Sequence, residues 1–237
     1  MTVPELSRRA VVAGLAGACL LPVPALARGG DRKLFADDLR HGLGLWRVEA
    51  EAPARVTAAR GVLDVEAPAG LTLWFLPRLE GRIAIDYEAL AVSAGGAHDR
   101  VSDLNCFWMA QDPAAPAGDA LARPRSGKFE DYDDLETYYV GLGGNGNSTT
   151  RFRRYVGTPG VRPLLPENDR RGAADMLTAN RWQRIRLTAD GPRIGFFRDG
   201  QALFAFDDPR PLTSGHFALR TTASHLRLRN FTVSRLA

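Results

Sequence analysis

The chain has 237 residues, 45% of them hydrophobic, with 24 Gly, 15 Pro, 2 Cys and a formal charge of +4 from 31 Lys and Arg against 27 Asp and Glu. That length suits one large domain, and the hydrophobic share excludes a wholly disordered or collagen-like chain. Two cysteines exclude a disulfide framework, the Gly and Pro content favours loop-rich β structure over a helical bundle, and so small a cationic excess gives no ground for a nucleic-acid partner.

The first segment reads as an address. Ser7-Arg8-Arg9 precedes a soft apolar run, and Ala25-Leu26-Ala27 is a small-x-small cleavage pattern. Paired arginines before an Ala- and Gly-rich run resemble a twin-arginine export signal. The run is too short to span about 30 Å of hydrocarbon, so no stable membrane anchor is expected after cleavage. The expected organisation is a signal over residues 1–27 and one domain over 28–237, periplasmic or secreted. Cleavage lowers the charge to +3 and leaves Cys106 alone in the apolar run Cys106-Phe107-Trp108-Met109-Ala110, where a buried structural thiol is expected.

Beyond the signal, short alternating runs recur between Gly, Pro, Asp and Asn. Residues 61–66, 71–76, 82–87, 105–110, 136–142 and 149–156 read as strands, followed by 182–187 and 193–198. Asp199-Gly200 is a hairpin signal, because such a turn needs positive φ. Residues 202–206, 216–220 and 226–233 complete the series. About twelve short strands predict an all-β antiparallel sandwich or jelly roll. Residues 112–127 form a Pro- and Ala-rich loop, long enough to suggest a functional role.

Phe35-Ala36-Asp37-Asp38 with Trp46, and the closing set Asp199-Gly200, Phe204, Gly215-His216-Phe217, Arg220 and Asn230-Phe231-Thr232-Val233, resemble the ends of concanavalin-like sandwich domains. That superfamily contains lectins, glucanases and polysaccharide lyases. The segments at 98–110 and 138–155 are similar to an uncharacterised family of exported bacterial concanavalin-like proteins grouped with polysaccharide degradation. The resemblance implies a concanavalin-like fold and a carbohydrate-related role, and it brings no catalytic residues.

Polar density lies between residues 98 and 154. On a strand, Arg151, Arg153 and Tyr155 share one face while Phe152, Arg154 and Val156 share the other. With Phe152 in the core, the first three face outward, where guanidinium forks bind carboxylates and a Tyr stacks on or hydrogen-bonds to a sugar. Arg154, on the inward side, must be paired if buried, and joins the substrate-binding candidates. The run from Gly141 to Ser148 lacks phosphate-loop spacing and reads as a hairpin or bulge between two strands that presents Asn145 and Asn147 at a cleft rim. His98 and His225 are general-base candidates. Asp99, Asp103 and Asn105 offer oxygen donors, but their spacing is not that of an EF-hand. A hydrogen-bonded turn is expected there and no cofactor or metal, with Ca²⁺ as the open alternative. Glu130, Asp131, Asp133, Asp134 and Glu136 read as a solvated acidic turn, or as hydrolase acids.

These residues outline a β-elimination site for a uronate-containing poly- or oligosaccharide. Arg151 would neutralise the uronate carboxylate, a Tyr or His would take the C5 proton, and Tyr139 would protonate the leaving oxygen. The alternatives are a non-catalytic lectin-like module and a glycoside hydrolase that uses the acids of 130–136.

Overall fold

A computed structural model describes residues 30–237, so the export signal read in residues 1–27 lies outside the described residues. Thirteen strands are present among them: β1 (Arg32–Asp37), β2 (Trp46–Ala50), β3 (Arg55–Ala59), β4 (Val62–Glu80), β5 (Ile83–Ala91), β6 (Leu104–Gln111), β7 (Glu136–Gly143), β8 (Thr149–Val156), β9 (Asp169–Arg170), β10 (Gln183–Asp190), β11 (Arg193–Arg198), β12 (Gln201–Asp207) and β13 (Ser214–Arg235). All their pairings are antiparallel. The front layer runs β2-β4-β13-β6-β7-β8-β9 and the back layer β12-β11-β10-β5-β13. This is the antiparallel β-sandwich that the alternation predicts.

Two expected strands, 61–66 and 71–76, are one 19-residue strand. Leu63, Val65, Ala67, Leu71, Leu73 and Phe75 are all buried and keep one phase throughout β4. The strand stays in register with itself and serves both layers, pairing β3 at one end and β2 at the other. Between the layers, Trp46, Phe75, Phe217 and Phe231 pack with ring centroids 4.9–6.4 Å apart. Such aromatic packing makes a large share of a sandwich core. Cys106 is fully buried there, and burial pushes its thiol up to about 12.

β13 serves both layers by a different device. Phe217 and Leu219 point into the core, then Leu226 and Leu228, then Phe231 and Val233. The phase changes twice, at register shifts between Thr222 and Ser224 and between Arg229 and Thr232. Ala223 (φ 45°) and Asn230 (φ 57°) sit at these bulges. At the first the extra residue belongs to β4, opposite Ala223, and at the second to β13, and after each the side chains of β13 change face.

The loop expected over 112–127 is longer and more ordered than a surface connection. Residues 112–135 form a strap folded back across the outer face of the front layer. Beneath it lies a second apolar cluster that includes Trp74, Phe107, Tyr132, Leu135, Tyr139 and Tyr155. Buried Glu49 on β2 anchors the strap. It accepts hydrogen bonds from Trp74 Nε1 (2.8 Å), Tyr132 Oη (2.9 Å), Arg47 Nη2 (2.9 Å) and the Arg125 backbone N–H (3.1 Å).

Candidate functional site

Side chains of alternate residues on the front strands leave the core and line the outer face. Register puts Thr72, Arg220, Asn105, Gly141 and Arg151 in one row across β4, β13, β6, β7 and β8. The next row holds Trp74, Ala218, Phe107, Tyr139 and Arg153. The strap reaches over parts of both rows, with Phe129 and Tyr132 against Arg220, and leaves Arg220, Asn105, Gly141 and Arg151 of the first row and Tyr139 and Arg153 of the second to line a cleft of about 420 Å³. Glu51 and Gly70 border it on one side, Arg151 and Arg153 on the other, and Phe129, Glu130 and Arg162 come from the strap and the loop after β8.

Four arginines reach the cleft, against Glu51, Asp103 and Glu130. Arg151 is held by Asp169 (Nε–Oδ1 2.8 Å) on β9, and its guanidinium with that of Arg171 draws the Asp169 carboxyl down to about 2. Arg162 pairs with Asp133 (2.7 Å) and lies 4.5 Å from the Phe129 ring. Arg153 donates to the backbone carbonyls of Arg162 and Pro163, and no carboxylate pairs with it among the described residues. Arg220 likewise has no carboxylate partner there and is only 3% exposed.

Tyr139 joins Arg151 and Arg153 in this cleft, as strand alternation predicts. Its hydroxyl makes no hydrogen bond with the described residues, and burial pushes its phenol well above the ordinary value of 10. Asn145 lines the rim and donates to Thr149 Oγ1 (3.0 Å). It belongs to a tight left-handed turn with Gly143, Gly146 and Asn147, whose φ values are 54–68°.

Other candidates lie elsewhere. Tyr155 has the expected parity but is fully buried beneath the strap, its hydroxyl without a partner. Asn147 turns away from the cleft to bracket Leu177 through the backbone carbonyl (2.9 Å) and N–H (2.8 Å). Arg154 stands on the opposite face, paired with buried Asp208 (3.0 Å) beside the Tyr138 ring, so it meets the pairing requirement but not the cleft.

Neither general-base candidate reaches the cleft. His98 contacts Glu66 (3.2 Å). His225 lies between Asp99 (2.7 Å) and Asp64 (3.1 Å). The bulge at Ala223 shifts the phase so that His225 points out of the core, as Arg220 and Thr222 do, but it lies further along β13, beside Asp64 and Asp99 and beyond the cleft. The turn at residues 94–99 is stitched by Asp99, which accepts from the Ala94 (2.8 Å) and Gly96 (2.9 Å) N–H groups. Asp103 and Asn105 point instead to the cleft. Among the described residues no three His, Cys, Asp or Glu side chains converge in a way that would hold a metal. Of the acids of 130–136, only Glu130 lines the cleft; Asp131, Asp133 and Asp134 bind Ser126, Arg162 and Arg125.

Arg220, Arg162 and Phe129 are cleft residues that sequence reading did not single out for function. Arg220 carried one signal: a cation out of phase with Phe217 and Leu219 in the middle of a strand.

Residues 65–231 match the model of a family described as a domain of unknown function, DUF6250. No curated protein matches the sequence. Among solved structures, a Bacillus subtilis protein of unknown function with a galectin-like fold is similar, at 16% identity and TM-score 0.65, over 88% of this chain and 97% of that one. The carbohydrate-binding module CBM66 from Bacillus subtilis is similar at 9% identity and TM-score 0.53, over 81% and 96% of the two chains. A β-1,3-1,4-glucanase (lichenase) from a mouse hindgut metagenome is similar at 9% and 0.53, over 86% and 99%. These likenesses carry the concanavalin-like fold.

Proposed function

Since the chain belongs to the DUF6250 family, a domain of unknown function, we propose from its own residues that it is an exported protein whose cleft binds an acidic, uronate-containing saccharide. The observation that carries this reading is the excess of guanidinium over carboxylate in the cleft, with Arg153 and Arg220 lacking any carboxylate partner among the described residues. Arginine forks match carboxylates, and the half-buried Phe129 gives an apolar face for a sugar ring. Two of the similar structures are a carbohydrate-binding module and a glucanase, which supports a saccharide as ligand.

Two outcomes of binding each have an observation in their favour. β-Elimination is favoured by the unbonded Tyr139 hydroxyl, which burial keeps protonated and ready to donate to the leaving oxygen while a carboxylate of the cleft lining, Asp103 or Glu130, takes the C5 proton. Binding without chemistry is favoured by the absence of a histidine from the cleft lining. Purified protein incubated with pectic, alginate and glucuronan polysaccharides distinguishes them. A rise in ultraviolet absorbance from unsaturated uronate establishes the lyase, and saturable binding without product establishes the lectin-like module. Neither binding nor product across the panel overturns the acidic-saccharide reading.

A further inference from the structure

Arg220 differs from every other cation of the cleft. It stands mid-strand on β13, buried, and Nη1 alone is engaged, by Thr72 Oγ1 (2.8 Å) and the Gly127 carbonyl (3.0 Å). The rings of Phe129 and Tyr132 lie 4.8 and 5.0 Å from its guanidinium carbon and hold it between them. Nε and Nη2 have no acceptor among the described residues. A buried cation without a counter-anion is unfavourable, and a two-donor edge left vacant is a demand for a particular group.

Glycines border that edge. A Cβ on Gly70 would overlap the Gly127 carbonyl and stand 3.0 Å from Glu51 Oε2 and 3.2 Å from Nη2, so glycine here lets the strap seat against the sheet beside Arg220. On the neighbouring strand pair, a Cβ on Gly141 would stand 3.0 Å from the Tyr139 hydroxyl. Two glycines therefore border the two unmet donors of the cleft floor.

We infer that Arg220 is the seat of the ligand's carboxylate, whose two oxygens lie side-on against Nε and Nη2. The inference rests on the acidic-saccharide reading and refines it. It moves the anion from Arg151, which Asp169 already neutralises, to the floor beside Tyr139. A planar group with two parallel acceptors fits the fork that the strap holds in place.

Calorimetric titration of the full chain with uronate trisaccharides and their carboxyl-reduced counterparts tests this. At least one uronate binds and its reduced form does not. Arg220→Lys, which keeps the charge and loses the fork, weakens binding roughly tenfold or more, and Arg151→Lys weakens it less. Arg220→Lys binding as tightly as the wild type overturns the assignment and leaves the acidic-saccharide reading intact. A wild type that binds none of the uronates overturns that reading. If Arg220→Lys does not fold, a crystal of the wild type with the trisaccharide decides. Carboxylate oxygens within about 3.2 Å of Nε and Nη2 support the assignment, and a carboxylate seated on Arg151 or Arg153 overturns it.

Discussion

Tyr139 separates binding from chemistry within one side chain. Its ring is part of the packing under the strap, 5.0 Å from Phe107 and 5.5 Å from Phe129, while its hydroxyl has no partner. Tyr139→Phe therefore keeps the fold and the unfolding midpoint. If the protein is a lyase, the substitution lowers the elimination rate by about 100-fold or more, with affinity changed by less than about twofold. Initial-rate assays beside calorimetry read both quantities. Asp99 gives a second prediction. The Gly96 N–H, then His225, draw its carboxyl from 3.8 down to about 2. A carboxylate lowered in the folded state stabilises above its unfolded value and loses that effect as pH falls through the folded one. The unfolding midpoint should therefore drop as pH goes from about 3.8 to about 2, and Asp99→Asn should flatten that drop. Melting curves across this range check it. Strand alternation alone was enough to bring Tyr139, Arg151 and Arg153 to one face. It failed for Tyr155, because parity does not reveal that a distant strap covers that end of the strand. For His225 it gives a side chain turned out of the core only once the bulge at Ala223 is counted, and it says nothing of how far along β13 the cleft extends.

The strap is the element that turns an open sheet face into a cleft. Its sequence reads as a turn-rich loop with an acidic patch, since the contacts that seat it on the sheet are long-range. Glu49 and Trp74 lie on strands far away in sequence, and Arg220 is 93 residues from Gly127. Glu49→Gln replaces an acceptor with a donor against Tyr132, Trp74 or Arg125. Leaving a buried polar group unmatched costs about 1–3 kcal/mol, more where charge is involved. Denaturant titration should show a loss of at least that size. Gly127 is the other pin. It has φ 91°, and a Cβ there would overlap the backbone of Ala50 and Glu51. Gly127→Ala is expected to lift the strap before it unfolds the sandwich, since the main core lies on the other side of the front layer. Limited trypsin digestion, mapped to Arg125 and Lys128, should speed up in this variant while the bulk of the chain resists cleavage. Equal rates in variant and wild type would sink the idea that Gly127 holds the strap down.

At the scale of the whole molecule, two layers are joined by two strands that solve the same problem differently. β4 crosses with an unbroken phase, while β13 changes phase twice. Ala223 holds its bulge at φ 45°, where a Cβ is unfavourable and glycine is free. Ala223→Gly should stabilise the protein by up to about 1 kcal/mol, the strain relieved exceeding the extra freedom of the unfolded chain. A higher denaturation midpoint at unchanged slope would be the sign, and a lower one would show that the alanine methyl contributes packing.

β13 also dictates when this protein can fold. It pairs with β1, β4, β5 and β6, all of which precede it in the chain. On a translating ribosome the early strands emerge with their shared partner still unmade. Neither layer closes, and the Arg220 seat does not exist, until Ser214–Arg235 has been released. Closure of both layers therefore waits for β13 and, with contacts this distant in sequence, is slow. An unfinished chain exposes open strand edges and needs protection while it waits.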